Sequence, residues 1–140
     1  RRLMWMLNDE SGGIGWGAPE AMGDITARHR GLADEYARIL VSYLTSSGNY
    51  LEHPVLQRGL LWGLARLAHA RPSMTASATE SLSPFLVSAD PIHRGLAAWT
   101  LAVQDDPAVQ KRLEALSTDS TRITLYWEYT LHSYPVSALI

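Results

Sequence analysis

Three large side chains, Arg58, Trp62 and Arg66, recur at every fourth position along one predicted helix and therefore lie on one side of it. The guanidinium group of arginine binds carboxylates and phosphates, and tryptophan offers a flat apolar surface on which a partner can stack. The spacing predicts a binding ridge. The alternative is a structural ladder, in which the arginines are buried and pair with acidic residues of a neighbouring layer.

A loop rich in acidic residues and glycine, residues 9–15, precedes Trp16. Asp9 and Glu10 could bind a cation or place a carboxylate beside Trp16, although a calcium loop needs more oxygen ligands at fixed spacing. The alternative is a connecting turn whose carboxylates cap the next helix. We expect Trp16 to be mostly buried, because it can fasten this loop to the preceding helix.

The chain offers few cofactor motifs. Residues 13–18 fit the glycine pattern of dinucleotide-binding turns, but that pattern binds pyrophosphate only between a strand and a helix, and no second strand is predicted before residue 120. The sequence has no cysteine, and its five histidines are not at metal-ligand spacing. We therefore expect neither a cofactor nor a bound metal, and no known catalytic motif is found.

The arginine ridge belongs to a helix predicted over residues 54–72, around which the chain is organised. One face of this helix is apolar, and large side chains occupy the other. This pattern predicts a middle layer with neighbours on two sides. Gly59 and Gly63 form a smooth strip between the faces, and we expect another helix to approach closely there.

Further helices are predicted over residues 18–29, 33–46, 91–104 and 108–117, with a weaker helix over 73–88 that Pro84 interrupts. Arg30 and Gly31 are expected to separate the first two of these. Asp90 and Asp106 each precede a proline, as in helix caps.

The last stretch, residues 123–134, alternates apolar and polar residues and favours a strand or hairpin, with a helix as the alternative. We expect its apolar face to fold onto the last helices or to pair with a second copy of the chain, which would give a homodimer through the tail. That face comprises Ile123, Leu125, Trp127, Tyr129 and Leu131.

The chain also contains a degenerate internal repeat. Arg58-Gly59-Leu60 recurs 36 residues later as Arg94-Gly95-Leu96, and residues 18–25 align upstream, with Gly23 matching Gly63. Helix pairs that repeat about every 35 to 45 residues indicate an α-solenoid. The repeat adds Arg94 to the candidate binding residues.

Residues 90–101 and 18–25 resemble HEAT-like repeats of the phycobilisome-lyase type. Residues 8–16 are also similar to the signature of an uncharacterised bacterial group of HEAT-like proteins. The resemblance implies an all-α fold: a short α-solenoid of about three helix pairs over residues 1–117, followed by a β-rich tail over residues 118–140. It also implies that arginines at such positions bridge neighbouring repeats.

The resemblance leaves the function open. A protein–protein interaction or scaffold module is the reading we favour, and an enzyme is the less favoured class. The alternatives are a lyase or chaperone for a tetrapyrrole (bilin), and a base-excision enzyme resembling HEAT-like alkylpurine glycosylases. The formal net charge of −2 argues against the second alternative, because binding of a nucleic-acid strand needs a basic track.

Composition sets the remaining expectations. With 46% hydrophobic and 19% charged residues, the chain has the composition of a globular protein with a sizeable core. No apolar run is long enough to span a membrane. We expect a protein partner, no nucleic-acid or membrane partner, and a cytoplasmic location, which fits the lack of cysteine.

Overall fold

The computed structural model describes residues 1–8 and 11–140 as a mostly helical chain that ends in a β-hairpin. The helices are α1 (Arg2–Met6), α2 (Ala18–Arg28), α3 (Arg30–Ser42), α4 (Pro54–Ala70), α5 (Thr79–Leu82), α6 (Pro91–Leu101) and α7 (Pro107–Glu114). The strands are β1 (Arg122–Trp127) and β2 (Thr130–Pro135). Short 3₁₀ turns lie at Pro72–Met74, Ala76–Ala78, Ser83–Val87 and Val136–Leu139.

Helix α4 is the central element, as its sequence predicts. Pro54 occupies its first turn, and the His53 side chain caps it by accepting a hydrogen bond from the Val55 N–H. α4 packs against α2 on one side and α6 on the other, which confirms the two-sided middle layer. Its apolar face is buried throughout: Leu56, Leu60, Leu61, Leu64, Leu67 and Ala68.

The closest helix contact joins α2 to α4 at two glycines. A Cβ atom built on Gly63 would lie 2.6 Å from the Pro19 carbonyl oxygen and 3.5 Å from the Gly23 Cα. A Cβ atom built on Gly23 would overlap the Gly63 backbone. The predicted close approach at Gly63 is therefore confirmed, and its partner is another glycine.

Two predicted helices differ from the structure. α3 begins at Arg30, and His29 alone, in an extended conformation, separates it from α2. Gly31 therefore lies inside α3 instead of ending α2. Residues 73–88 form 3₁₀ turns around the four-residue helix α5 instead of a longer helix. The predicted interruption at Pro84 is present, because α5 ends at Leu82 and proline lacks the N–H that a continuous helix needs.

The caps of α6 and α7 are as predicted. The Asp90 side chain accepts a hydrogen bond from the Ile92 N–H at 2.9 Å, and Asp106 accepts one from the Ala108 N–H at 2.8 Å. Each aspartate precedes a proline at the first helical position. The two short polar segments before these prolines thereby fix where α6 and α7 begin.

Residues 122–135 form the antiparallel hairpin, which decides the choice between strand and helix. Trp127 pairs with Thr130 across the turn at Glu128 and Tyr129, so Leu125 pairs with His132. Residues directly opposite each other share a face. Because the turn has two residues, odd-numbered residues of β1 pair with even-numbered residues of β2. The inner face of the hairpin therefore carries odd positions in β1 and even positions in β2.

This pairing makes part of the predicted apolar face wrong. Ile123 and Leu125 are buried, at 3% and 4% exposure, but Tyr129 and Leu131 are 80% and 69% exposed. The Ile123 side chain lies where a Cβ on Gly95 would otherwise be, so β1 packs directly on α6. The tail thus folds onto the helices. The homodimer and the domain boundary after residue 117 remain predictions.

Within residues 1–8 and 11–140, no helix is both long enough and apolar enough to cross a membrane.

The turn itself supports a stability prediction. Glu128 and Tyr129 have φ angles of 47° and 68°, a left-handed conformation that costs non-glycine residues about 1 kcal/mol each. Because Asn-Gly suits a two-residue turn with positive φ at both positions, Glu128→Asn combined with Tyr129→Gly should raise the free energy of unfolding by about 1–2 kcal/mol. Urea denaturation measures this change.

The matched control is Glu114→Asn, in the last turn of helix α7, where an asparagine gains no turn preference. Equal or lower stability of the turn variant would contradict the assigned turn geometry.

Candidate functional site

Two of the three residues of the predicted ridge are paired within the protein. Arg58 Nε donates to Asp90 Oδ2 at 2.7 Å, and Arg66 Nε donates to Asp24 Oδ1 at 2.9 Å. Because Asp90 caps α6 and Asp24 lies in α2, these ion pairs tie α4 to both neighbours. The structure therefore contains arginine–aspartate pairs of the kind that the structural-ladder alternative predicts.

The third candidate arginine, Arg94, is also structural. Its Nε donates to Asp119 Oδ2 at 2.8 Å, and its Nη1 donates to the Ser88 carbonyl oxygen at 2.8 Å. The side chains of Arg94 and Asp119 are only 17% and 15% exposed. The hydrogen bond from Arg94 lowers the pKa of Asp119. A hydrogen bond that Asp119 accepts from the Thr121 N–H lowers it as well.

Asp90, the partner of Arg58, also has a lowered pKa. Burial raises the pKa of Asp90, but hydrogen bonds from Arg58 and the Ile92 N–H, with the charge of His93, bring that pKa below its usual value. Asp90 therefore caps helix α6 and also pairs with Arg58 of helix α4.

A groove opens between α2, α4 and the tip of the hairpin, and we call it the helix–hairpin groove. Its volume is about 550 Å³, which lies in the range of ligand-binding clefts. Residues from four segments line it: Glu20, Ala21, Asp24 and Arg28; Trp62 and Arg66; Tyr126 and Trp127; Glu128 and Tyr129.

Aromatic side chains form the walls of this groove. Trp62 Nε1 donates to the Tyr126 carbonyl oxygen at 2.8 Å, which fixes the indole of α4 against strand β1. The Arg66 guanidinium lies 5.2 Å from the centre of the Trp127 ring, which in turn packs edge-on against the buried Trp99. Contacts within the protein therefore hold the aromatic walls in place.

One carboxylate of the groove is fully engaged. Asp24 Oδ1 and Oδ2 accept hydrogen bonds from Arg66 at 2.9 Å and Arg28 at 2.8 Å. The Tyr129 hydroxyl and Asp24 raise the pKa of Arg28. These contacts connect α2, α4 and the turn around one aspartate.

The groove continues into a second depression of about 380 Å³. Glu20, Trp62 and Tyr126 line both spaces and so stand at their junction. The second depression adds Val55, Arg58, Gly59 and Ile92. Together the two spaces form one elongated surface depression along α4.

A second polar cluster lies at the start of α6. Ser88 Oγ is 3.3 Å from His93 Nδ1, and His93 Nε2 is 3.6 Å from Asp90 Oδ2. Although a serine, a histidine and an aspartate meet here, Asp90 caps α6 and binds Arg58, and Ser88 accepts the Asp90 N–H. We therefore assign this cluster to the capping of α6.

The remaining candidates from the sequence lie elsewhere. Trp16 is 51% exposed and contacts the His53 ring edge-on, so the prediction that it is mostly buried is wrong. Gly15, not Trp16, packs on the end of α1, where a Cβ would meet Leu7 and Met6, and Trp16 projects outwards. Asp9 and Glu10 lie outside the described residues.

Of the ten groove residues, only Trp62 and Arg66 are among the site residues predicted from the sequence, and Glu20, Tyr126 and Glu128 are not. The helical period alone does not mark Glu20 as a site residue, because only the three-dimensional contact of α2 with α4 makes it part of a groove wall. The signal that could have identified it is Gly59, whose missing side chain leaves room for the Glu20 carboxylate.

Within the part of the chain that the structure describes, no group of three or more histidine, aspartate or glutamate side chains could hold a metal ion.

Comparison of the chain with known protein families, with curated proteins and with solved structures gives no match.

The paired arginines differ in burial, which predicts different effects of their removal. Arg94→Ala should lower the free energy of unfolding by about 2–3 kcal/mol, because it removes the charged donor of a largely buried carboxylate and the donor of two carbonyl groups. Arg28→Ala, at a half-exposed pair that solvent screens, should lower it much less. Urea denaturation of both variants tests the ranking.

The pH dependence provides an independent check. Because Asp119 has a lowered pKa when folded, its pair contributes stability above the unfolded value of about 3.9 and loses that contribution as the pH falls through the folded pKa. The stability difference between wild type and Arg94→Ala should therefore shrink towards pH ~3. A constant difference would contradict the assigned pair.

Proposed function

We propose that this chain is a protein-interaction module, built from HEAT-like helix pairs, that binds a segment of a partner protein in the helix–hairpin groove. The observation that carries the proposal is an open groove whose aromatic walls are fixed by contacts within the protein. Rigid aromatic side chains provide a large contact area at low entropic cost, which makes them frequent anchors of protein interfaces.

The exposure of the groove residues supports this function. Tyr126 is 46% exposed although its backbone is held by Trp62. Val55, in the adjoining depression, is 48% exposed. An elongated depression with accessible apolar side chains suits an extended segment of a partner.

The repeat architecture is part of the same proposal. Arg58 and Arg94, the first residues of the two Arg-Gly-Leu copies, each bind an aspartate further along the chain, Asp90 and Asp119. Such equivalent bridges are what a stack of related helix pairs needs, because each repeat is stabilised by contacts with its neighbours.

The groove chemistry gives no support to binding of a nucleic-acid strand. Its charged residues are three acidic (Glu20, Asp24, Glu128) and two basic (Arg28, Arg66), a balance of −1, whereas a phosphate backbone requires a positive surface. The tetrapyrrole function and the cytoplasmic location remain predictions from the sequence.

Selection from a phage-displayed library of random peptides tests the proposed function. We expect the immobilised protein to enrich peptides, and Tyr126→Ala to weaken their binding by about tenfold, the usual effect of removing an aromatic anchor. Tyr50→Ala, at a similarly exposed tyrosine outside the groove, is the matched control and should leave the affinity unchanged.

Two results would reject the function. One is that no peptide is enriched over an unrelated control protein. The other is that the enriched peptides bind Tyr126→Ala as tightly as wild type, which would place their site outside the groove.

A further inference from the structure

The Glu20 side chain lines the groove and carries an unpaired carboxylate oxygen. Its Oε2 atom is buried and has no hydrogen-bond partner among residues 1–8 and 11–140. In contrast, Asp24 binds two arginines, and Arg58 binds Asp90. Buried polar atoms nearly always have a partner, so an unpaired oxygen on a carboxylate whose residue lines the groove points to a missing donor.

The sequence makes room for this carboxylate at some cost to helix stability. A Cβ atom on Gly59 would lie 2.5 Å from the Glu20 Cδ, so the carboxyl group rests directly on the bare surface of α4. Glycine inside a helix costs about 1 kcal/mol relative to alanine. The position of Glu20 is therefore specified by two elements, α2 and α4.

The start of α2 is a favourable place for a carboxylate. Glu20 lies in the first turn of this helix, where the helix dipole stabilises a negative charge. The dipole gives Oε2 no hydrogen-bond donor, so the carboxylate is stabilised in place and still has capacity to accept one.

The surroundings of Glu20 suit a cation. Trp62 and Tyr126 flank it at the junction of the two depressions, and aromatic faces attract cations. The groove already contains one such contact, between the Arg66 guanidinium and the Trp127 ring at 5.2 Å. The exposed Glu128 is a third carboxylate among the lining residues, besides Glu20 and Asp24.

We propose that the helix–hairpin groove recognises an arginine side chain on an exposed segment of the partner protein, with Glu20 as its counter-charge and Trp62 and Tyr126 as its stacking surfaces. This inference rests on the proposed function and adds the chemistry of the partner. A guanidinium group fits these walls, because its plane stacks on aromatic rings while its edge donates to a carboxylate.

Titration of ¹⁵N-labelled protein with three synthetic peptides tests the inference. The peptides share one Gly-Ser backbone and carry arginine, citrulline or glutamate at the centre. Citrulline keeps the shape of arginine without its charge. We expect the arginine peptide to shift the indole N–H signal of Trp62 and to bind about tenfold more tightly than the citrulline peptide, since a charge-assisted hydrogen bond is lost.

Three variants locate the counter-charge. Glu20→Gln should reduce the affinity for the arginine peptide to that of the citrulline peptide. Gly59→Ala should weaken binding in the same direction, because its methyl group displaces the carboxylate. Glu114→Gln removes the same charge from α7, away from the groove, and should leave the affinity unchanged. The dispersion of the amide signals confirms that each variant is folded.

The inference is overturned if arginine and citrulline peptides bind equally, if Glu20→Gln binds arginine as tightly as wild type, or if none of the peptides shifts the Trp62 signal. The library selection separates these failures from failure of the proposed function. Enriched peptides that depend on Tyr126 but lack arginine would leave the interaction module standing and remove the arginine site alone.

Discussion

The contact between Gly23 and Gly63 is the constraint on which the rest of this structure depends. Two helices can touch through their backbones only where neither carries a side chain. This contact brings α2 against α4 so closely that Glu20 lies on Gly59 and Asp24 reaches Arg66. The floor of the helix–hairpin groove therefore follows from two residues that themselves contribute no functional group.

The two Arg-Gly-Leu segments have the same local arrangement, but the space at the glycine is filled differently in each. In each, the arginine binds an aspartate that follows in the chain, and the glycine leaves a space that another element fills. At Gly59 the space receives the Glu20 carboxylate, and at Gly95 it receives the Ile123 side chain. The first space holds a charge in an open groove, while the second fastens the hairpin to α6 and covers the end of the helical layers.

Much of the fold follows from the periodicity of apolar residues and from the residues that mark the ends of helices. The apolar face of α4, its glycine strip and the aspartate–proline starts of α6 and α7 were all predictable, because local rules determine them. The inner face of the hairpin was not predictable in this way, because it depends on whether the turn contains an odd or an even number of residues. Trp16 was misplaced because a neighbouring glycine, not the large ring, provides the contact with α1.

The groove was predictable only in part. The spacing of Arg58, Trp62 and Arg66 predicted that these side chains share one side of α4, which is where the two depressions lie, and the sequence also indicated that the arginines could pair with acidic residues. Glu20, Tyr126 and Glu128 join the groove through contacts between segments that are far apart in the chain, and a helical or strand period carries no information about such contacts.

The most direct test of the glycine contact compares two alanine substitutions by urea denaturation. Gly63→Ala should lower the free energy of unfolding by more than about 2 kcal/mol, because its methyl group meets the Pro19 carbonyl oxygen of α2. Gly31→Ala, in α3, where a Cβ meets nothing within 4 Å, should raise it by about 0.5–1 kcal/mol through helix propensity alone. If Gly63→Ala were stabilised like Gly31→Ala, the two helices could not be in backbone contact, and the account of the groove would be wrong.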